Sequence, residues 1–559
     1  MLRIKILIYS IFLLPALAIS QSLDIVINQH HYQIDEDRKM IVSHIDNISD
    51  YQDLSDVTDL TILFDGEAFV FDENPDDITY SESYSVSSAS TSYTLYFTEL
   101  PLISIISQND IVDEPKMPAA FIYSDSDQVI NATIGIEIRG GLSQTFPKKT
   151  YDIEFWEDVS GEESIDVSFG NLRKDDDWIL DGLYNEPLRL RSYNAHKLWL
   201  NMHTLYYQEE EPKAKSGADV MYAEVFLEGR YLGLYNISEQ IDRKLLRIQK
   251  AEPDIKGELY KAIYWDEVIL YEGIKDYDNE KREWGGWEYK YPKDITDWTN
   301  IHDFTEFIVH SSDDSLSSEL SERIDVNNLS DYFIFMNVLR ALDNRGKNIY
   351  LARYDQGEPY IQIPWDLDGT FGLSWSGAED PVTEGPISNR LYDRMMEVDP
   401  NDYLSMLKDK WSDYRTNILR TESLQDSLTT LYNYFNTNNI YEREAIVYPE
   451  FEYPESKLTY THAWLMSRLD YLDSYFSSLS QTVPIKRHDV SLLYPKPAAG
   501  KIYIQDYKDY LGQNVEIYTM SGHKVRSHTI TGKEIDLAFL HSGTYVFVLG
   551  DKSYKIIVR

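Results

Sequence analysis

The chain has 559 residues, no cysteine and a formal net charge of −42 at pH 7. This length predicts several domains, and the lack of cysteine excludes disulfides and thiolate metal sites. The acidic balance argues against non-specific binding to nucleic acid or to an anionic membrane, because both carry negative charge themselves.

The first 20 residues have the pattern of an export signal. Arg3 and Lys5 form a charged start, an apolar run covers residues 6–17, and small residues precede Gln21. The run is too short to span a bilayer comfortably, so a cleaved signal is favoured over a membrane anchor. We therefore expect a mature chain outside the cytoplasm that has no transmembrane segment.

Residues 21–98 are predicted to form a small all-β unit. Short alternating runs such as LTILF at 60–64 and YTLYF at 93–97 are separated by clusters of Asp, Asn, Gly and Ser. The Ser-rich segment 81–92 is interpreted as a loop or linker. None of the residues in this unit points to a particular chemistry.

Residues 99–480 form the second predicted domain, with strands in its first part and helices later. A helix is predicted over 187–202, because Pro187 suits a first turn and apolar residues then recur at helical spacing. A hairpin is predicted to pair 223–227 with 231–237. Beyond residue 326 the apolar spacing is mostly helical.

Residues 488–559 are predicted to form a separate small β-sandwich. Strand-like runs are punctuated by glycines, and this part has nine Lys plus Arg against seven Asp plus Glu. It therefore lacks the strong acidity of the rest of the chain.

The residues most suggestive of chemistry lie between Asp343 and Asp368. Asp343 and Asn348 fit the pattern D-x-x-x-x-N, and an antiparallel hairpin would then return Asp366 and Asp368 to the side of Asn348. Phosphoryl transfer needs a carboxylate at the acceptor hydroxyl, and an Asn and a second carboxylate on the metal. We therefore predict Asp343 as the catalytic residue. Asn348, Asp366 and Asp368 are predicted to hold Mg²⁺ or Mn²⁺, which prefer hard oxygen ligands.

The upstream elements follow the order of the parts of a protein kinase. A glycine pair at 140–141 marks a hairpin turn, Lys148 and Lys149 begin the next strand, and Glu239 falls where a hinge would lie. Strand alternation places Lys149 on the same face as the apolar Tyr151, so Lys149 is preferred over Lys148 as the lysine that contacts phosphate.

Arg191 is a further predicted phosphate contact. It shares a helical stripe with Leu188 and Ala195, where a cation needs an anionic partner. Phosphate and a structural salt bridge are both open as that partner. The same helix has no interior Glu to pair with Lys149, and Glu186 at its start is the nearest candidate.

Four segments of the second domain, taken together, resemble the CotH family, which is named for a spore coat protein. They are RGGLSQTFPKKTYDIEF (139–155), DDDWILDGLYNEPLRLRSYNAHKL (175–198), AEVFLEGRYLGLYNISEQID (223–242) and PWDLDGTFG (364–372). The resemblance implies an atypical kinase fold and the phosphorylation of Ser on extracytoplasmic proteins with ATP and a divalent metal. It equates Asp343 with the catalytic Asp, Asp366 with the metal-binding Asp and Lys149 with the nucleotide-facing lysine.

The last unit resembles the type A C-terminal sorting domain of the type IX secretion system of Bacteroidota. The segments that match are YPKP at 494–497, SGHKV at 521–525, SGTY at 542–545 and YKIIV at 554–558. The resemblance implies that the type IX secretion machinery is a partner, and that the protein is released or held at the cell surface.

Together these features predict an α+β protein with an atypical kinase-like, two-lobed fold between two β units. The expected function is a secreted or cell-surface kinase that transfers phosphate from ATP to Ser/Thr hydroxyls of an extracytoplasmic protein. The alternative is a non-catalytic adhesin or envelope scaffold on the same fold, since fungal CotH-like proteins act as adhesins. A glycan-active enzyme with two carboxylates would leave the lysine strand and D-x-x-x-x-N unexplained.

Overall fold

The structure, a computed structural model, describes residues 21–45, 47–479, 493–504, 507–519, 523–550 and 552–558. The export signal predicted for residues 1–20 lies outside these residues, as does the end of the second predicted domain. The chain divides into two compact units, residues 1–483 and 484–559.

The first unit begins with a seven-stranded sheet in the order β1-β4-β5-β6-β7-β3-β2. Its strands are β1 (Gln21–Ile27), β2 (Tyr32–Asp35), β3 (Met40–His44), β4 (Val57–Phe64), β5 (Glu67–Phe71), β6 (Ser83–Ser88) and β7 (Thr91–Thr98). The all-β prediction for this part is confirmed.

The Ser-rich segment 81–92 is not a loop, and that prediction is wrong. β6 and β7 pair antiparallel through this segment, from Ser83 opposite Tyr96 to Ser88 opposite Thr91. Tyr84 and Val86 are buried between serines that face outward or lie near the surface. The alternation of two apolar residues with serine is therefore a strand pattern with one buried face.

A closed barrel of seven strands follows in the order β10-β11-β12-β14-β13-β8-β9. Its strands are β8 (Leu102–Ser107), β9 (Met117–Ser124), β10 (Val129–Ile138), β11 (Tyr151–Trp156), β12 (Asp177–Asp181), β13 (Val220–Leu227) and β14 (Arg230–Glu239). The predicted hairpin is confirmed as β13 and β14. Its turn places Glu228 and Gly229 at φ of 52° and 70°, as the tight turns of twisted hairpins require.

A five-stranded sheet in the order β16-β17-β15-β18-β19 carries the segment that holds the predicted chemistry. Its strands are β15 (Glu258–Ala262), β16 (Glu283–Trp284), β17 (Trp287–Tyr291), β18 (Ile349–Arg353) and β19 (Tyr360–Pro364). β18 and β19 are antiparallel, with Ile349 opposite Pro364, which confirms the predicted hairpin. Asn348 and Trp365 are consequently neighbours at the open end of this hairpin.

Helices dominate the later part of the first unit, as predicted. The α-helices of the whole first unit are α1 (Arg191–Met202), α2 (Arg243–Leu246), α3 (Thr299–His310), α4 (Asp313–Arg323), α5 (Val326–Leu339), α6 (Arg390–Val398), α7 (Tyr403–Thr416), α8 (Thr421–Thr437), α9 (Ile440–Val447) and α10 (Glu455–Ser478). Residues 328–339 of α5 are all buried, so this helix forms the centre of the helical region.

α1 begins four residues later than predicted. Arg189 has φ of 60°, a left-handed conformation that a helix cannot contain. The Glu186 carboxylate accepts hydrogen bonds from the backbone N–H groups of Leu188 (3.2 Å) and Arg191 (3.1 Å). Pro187 therefore lies in a turn that this carboxylate holds in place ahead of the helix.

The second unit has its own seven-stranded arrangement in the order β23-β22-β25-β26-β20-β21-β24. Its strands are β20 (Leu493–Ala499), β21 (Lys501–Ile504), β22 (Asn514–Thr519), β23 (Lys524–Thr529), β24 (Glu534–Asp536), β25 (Gly543–Leu549) and β26 (Lys552–Val558). Buried side chains including Val515, Ile517, Phe547 and Ile556 form a core of its own.

None of the helices in the described part of the chain combines the length and the hydrophobicity that a bilayer-spanning segment needs.

Candidate active site

A cleft with a cavity volume of about 290 Å³ is lined by residues of the barrel and of the helical region. Four of the predicted site residues line it, namely Lys148, Asp343, Asp366 and Asp368. The segments that supply them are far apart in sequence, and the fold brings them to one cavity.

The open end of the β18–β19 hairpin joins Asn348 to Asp366. Nδ2 of Asn348 donates a hydrogen bond of 2.9 Å to Oδ2 of Asp366. Both residues have positive φ, 55° and 56°, which a β-hairpin would not impose on ordinary strand residues. The amide of Asn344 stabilises this shape by donating to the carbonyls of Asn348 (2.9 Å) and Trp365 (2.8 Å). Asn344 was not predicted, although it lies inside the D-x-x-x-x-N segment.

Asp343 lies in a short 3-10 turn, Asp343–Arg345, that follows α5. Burial raises the pKa of Asp343, and the nearby Asp366 carboxylate acts in the same direction, whereas the cations of Lys347 and Arg345 lower it. Lys347 lines the same cleft. Asp343 is therefore a carboxylate with a raised proton affinity that borders the cavity.

Three further carboxylates line the cleft: Asp181, Asp366 and Asp368. Burial raises the pKa of Asp368 well above its usual value, and the Asp366 carboxylate raises it further, while a hydrogen bond from the Asn185 amide opposes the shift. Burial also raises the pKa of Asp181, and Asp366 again contributes. Asp181 ends β12, and its role as the third carboxylate was not predicted.

This donor set suits a hard divalent cation. An amide side chain and carboxylates offer the oxygen ligands that Mg²⁺ and Mn²⁺ prefer. Burial is the largest cause of the raised pKa values of Asp181 and Asp368, and the Asp366 carboxylate adds to both, so a bound cation would relieve part of the cost of these acids. Asn348, Asp366 and Asp368 would hold the ion, with Asp181 beside them.

The tightest acidic groups among the described residues lie elsewhere. Three ligand atoms come within 4.8 Å of one another in the group Asp166, Asp175 and Asp176. The Lys244 ammonium already bonds to both Asp175, at 2.8 Å, and Asp176. An internal cation thus accounts for that group. The second such group, His302, Asp303 and Glu306, lies on α3.

Of the two adjacent lysines, Lys148 lines the cleft and Lys149 does not. The Lys148 side chain is fully buried, and its Nζ donates to Oε1 of Glu444 (2.5 Å) and to the Leu234 carbonyl (2.6 Å). Burial lowers the pKa of Lys148 to about 8, although Glu444 opposes the shift. Lys149 Nζ donates instead to the Gln144 carbonyl at 2.6 Å, outside the cleft lining. The preference for Lys149 is corrected because β11 begins only at Tyr151, so strand alternation does not extend back to it.

The carboxylate that pairs with the cleft lysine comes from α9, 296 residues further along the chain. Glu444 also accepts a hydrogen bond of 3.1 Å from Nη2 of Arg189 and one from the Leu234 N–H. Burial opposes ionisation of Glu444, but Lys148 and Arg189 outweigh it and lower the pKa of the carboxyl. Gly233 makes room for it, since a Cβ there would lie 2.1 Å from Oε1 of Glu444.

Three other residues considered from the sequence lie away from the cleft lining. Glu186 does not pair with either lysine, because its Oε1 accepts from Nη1 of Arg191 at 2.7 Å. Arg191 also donates a hydrogen bond to the Thr461 hydroxyl, so of the two open partners for this cation the structure has the structural salt bridge, with Glu186. Glu239 is buried and accepts from Lys215 Nζ at 2.6 Å, which places it in a salt bridge rather than in the cavity.

These features define a mixed α+β protein in which a closed β-barrel and a helical region share an acidic cleft with one buried lysine. A family model described as CotH kinase protein matches residues 136–472, which is more than half of the chain. The chain belongs to the CotH family. A second model, described as a secretion system C-terminal sorting domain, matches residues 492–559.

The C-terminal match supports both the family and the destination predicted for this part of the chain. Residues 492–559 belong to the C-terminal sorting domains of the type IX secretion system. Such a domain implies export to the cell surface or secretion, through interaction with that machinery. A comparison with curated proteins found no match.

Proposed function

We propose that the chain is an exported, metal-dependent kinase that transfers phosphate from ATP to Ser/Thr hydroxyls of an extracytoplasmic protein. The observation that carries the proposal is the hydrogen bond from Asn348 to Asp366, because Asp366 lines the same cleft as Asp343 and Lys148. In this proposal the barrel and the helical region correspond to the two lobes of a kinase-like fold.

Asp343 is the proposed catalytic residue. Its raised pKa favours acceptance of a proton, and its place in the cleft lets it orient an acceptor hydroxyl. The acceptor oxygen forms a bond to the γ-phosphorus, and the bond from that phosphorus to the bridging oxygen breaks, which releases ADP. The hydroxyl proton passes to the Asp343 carboxylate.

Asn348, Asp366 and Asp368 are proposed to hold the metal, and Lys148 to face the phosphates. A bound divalent cation supplies positive charge that neutralises the phosphate oxygens. The ion pair with Glu444 positions the Lys148 ammonium group, in the way that a carboxylate partner positions the lysine of other kinases.

Incubation of the mature chain with labelled ATP, Mn²⁺ and a mixture of extracytoplasmic proteins tests this function. Wild type should incorporate phosphate, and Asp343→Asn should lower the rate by about 10²- to 10⁴-fold, the usual contribution of an acid–base group. Asp409→Asn, an exposed position on α7, is the matched control and should retain the wild-type rate. Equal incorporation by wild type and Asp343→Asn would instead favour the non-catalytic adhesin or scaffold.

A further inference from the structure

Two cations, one just after barrel strand β10 and one on the five-stranded sheet, each lie within 6.0 Å of the centroid of the Trp365 indole ring. Cζ of Arg139, which follows β10, lies 5.8 Å from the ring centroid. Nζ of Lys261, on β15, lies 6.0 Å from the same centroid and 5.6 Å from that of Tyr350. Trp365 directly precedes Asp366, so this pair of cations adjoins the proposed metal site.

The charge of Arg139 is only weakly compensated by the protein. Its nearest carboxylate is Asp152, with 3.7 Å between Nη1 and Oδ2. Asp152 lies closer to Lys116, at 3.0 Å. Nη1 of Arg139 is buried and has no hydrogen-bond partner. A buried guanidinium N–H group without a hydrogen-bond acceptor destabilises the folded protein, unless a ligand supplies the acceptor.

Lys261 is still less compensated. Within the described ranges, no carboxylate oxygen lies within 4 Å of its ammonium group. The acids that face it are already engaged, since Glu288 pairs with Lys290 at 3.1 Å and Asp366 accepts from Asn348. Burial, together with the cations Arg139 and Lys290, lowers the pKa of Lys261 to about 8.

We propose that Arg139 and Lys261, held over Trp365, form a binding site for an oxyanion of the size of phosphate. Two desolvated cations brought together without a shared carboxylate destabilise the free protein, and an anion between them would remove that cost. Lys148 cannot take this role alone, because Glu444 already neutralises it. The oxyanion belongs either to the nucleotide or to an anionic side chain of the protein acceptor.

The first test measures binding of inorganic phosphate to the full mature chain by ³¹P NMR titration in EDTA, without nucleotide. We expect Arg139→Gln and Lys261→Gln each to weaken binding at least tenfold. Lys290→Gln, which removes a neighbouring lysine that has its own carboxylate, should stay within twofold of wild type. Absence of phosphate binding to wild type, or wild-type binding by both variants, would overturn the proposal.

Thermal unfolding separates a binding defect from a folding defect. Lys261→Gln removes one of two repelling cations, so its unfolding temperature should equal or exceed that of wild type. A loss of phosphate binding that came only with a clearly lower unfolding temperature in both variants would count against a binding site.

A second arm distinguishes the two sources of the oxyanion. If saturating ATP with Mn²⁺ abolishes phosphate binding, the site takes a phosphate of the nucleotide. If binding persists beside ATP, the site takes an anion of the acceptor, and phosphate should then compete with acidic acceptors. Phosphate binding is measured without any turnover of ATP. The anion site would therefore be supported even if the kinase test with Asp343→Asn contradicted the proposed function.

Discussion

Glu444 balances two buried cations, Lys148 and Arg189, and this makes it the most sensitive single residue of the cleft. Glu444→Gln would leave both cations buried without a carboxylate. We expect a loss of about 3–5 kcal/mol in the free energy of unfolding, as for other broken buried ion pairs. Urea denaturation of the purified mature chain measures this change.

Glu442→Gln is the matched control, because Glu442 lies on the same helix but is exposed and accepts a hydrogen bond from the Tyr96 hydroxyl at 2.8 Å. It should leave the unfolding free energy close to that of wild type. If both variants lost equal stability, the cause would be a general destabilisation of helix α9 and not the loss of the ion pair.

The raised pKa values of Asp368 and Asp181 predict how stability depends on pH. The unfolded carboxyls ionise near pH 3.9, whereas the folded ones hold their protons to higher pH. As pH rises from about 4 through the raised values, these two groups therefore destabilise the metal-free fold. At pH values above these raised pKa values, the loss of stability from the two groups no longer changes with pH.

Asp368→Asn isolates this effect. In EDTA, the difference in unfolding temperature between the variant and wild type should shift in favour of the variant as pH rises from about 4 to about 7. Mn²⁺ should stabilise wild type increasingly over the same range and stabilise the variant little. A metal effect that was independent of pH, or equal in both proteins, would contradict a metal site at Asp368.

At the scale of elements, α9 connects three parts of the first unit through three consecutive residues. Glu442 accepts from Tyr96 of β7, Arg443 pairs with Glu224 of β13, and Glu444 pairs with Lys148 in the cleft. Glu224 also accepts from the hydroxyls of Thr98 (2.7 Å) and Tyr231 (2.6 Å), so it is fully bonded although buried. The N-terminal sheet and the barrel thus share one buried polar network.

Arg443→Met tests whether this network makes the N-terminal sheet and the barrel cooperative. The substitution leaves Glu224 buried without its cation, and we expect a loss of about 3–5 kcal/mol. Hydrogen exchange should accelerate in β7 and β13 together, because β13 carries Glu224 and β7 carries its partner Thr98.

Arg230→Gln is the control for this experiment. Arg230 also joins the barrel to the N-terminal sheet, through an ion pair of 2.9 Å with Asp37, but both side chains are about two-thirds exposed. Exposed pairs of this kind add little, so exchange in β7 and β13 should be unchanged. Acceleration of β13 alone in Arg443→Met would show that the two parts open independently.

The β18–β19 hairpin could be predicted from sequence because its alternating residues and its turn are local. Its consequence, the meeting of Asn348 with Asp366, follows from antiparallel geometry alone. The partner of Lys148 could not be predicted, since Glu444 is remote in sequence and reaches the lysine only after α9 packs on β14. Gly233 was the available signal, because a glycine inside a strand often marks a close approach.

At the scale of the whole molecule, the negative charge is confined to one part of the chain. Residues 488–559 have nine basic and seven acidic residues, a net charge of +2, so residues 1–487 carry a net charge of −44 and the whole chain −42. An acidic body of this kind repels nucleotides at long range. Cations inside the cleft, such as Arg139 and Lys148, and a divalent metal would offset that repulsion locally.

The separate core of the C-terminal unit predicts that it can be removed without loss of the CotH domain. Val515, Ile517 and Phe547 pack within residues 493–558, and the first unit has cores of its own. Deletion of residues 488–559 should leave the unfolding temperature of the remaining chain, and its stabilisation by ATP with Mn²⁺, within about 2 °C of the full-length values, a shift of less than about 1 kcal/mol.

Because the deleted part belongs to the sorting domains, the shortened chain should accumulate in the periplasm, as cell fractionation would detect. Asp343→Asn in the full-length chain is the matched control, since it changes the cleft and should reach the cell surface normally. Surface delivery of the shortened chain would contradict the role of residues 488–559 as its address, and a large fall in its unfolding temperature would contradict the independence of the two units.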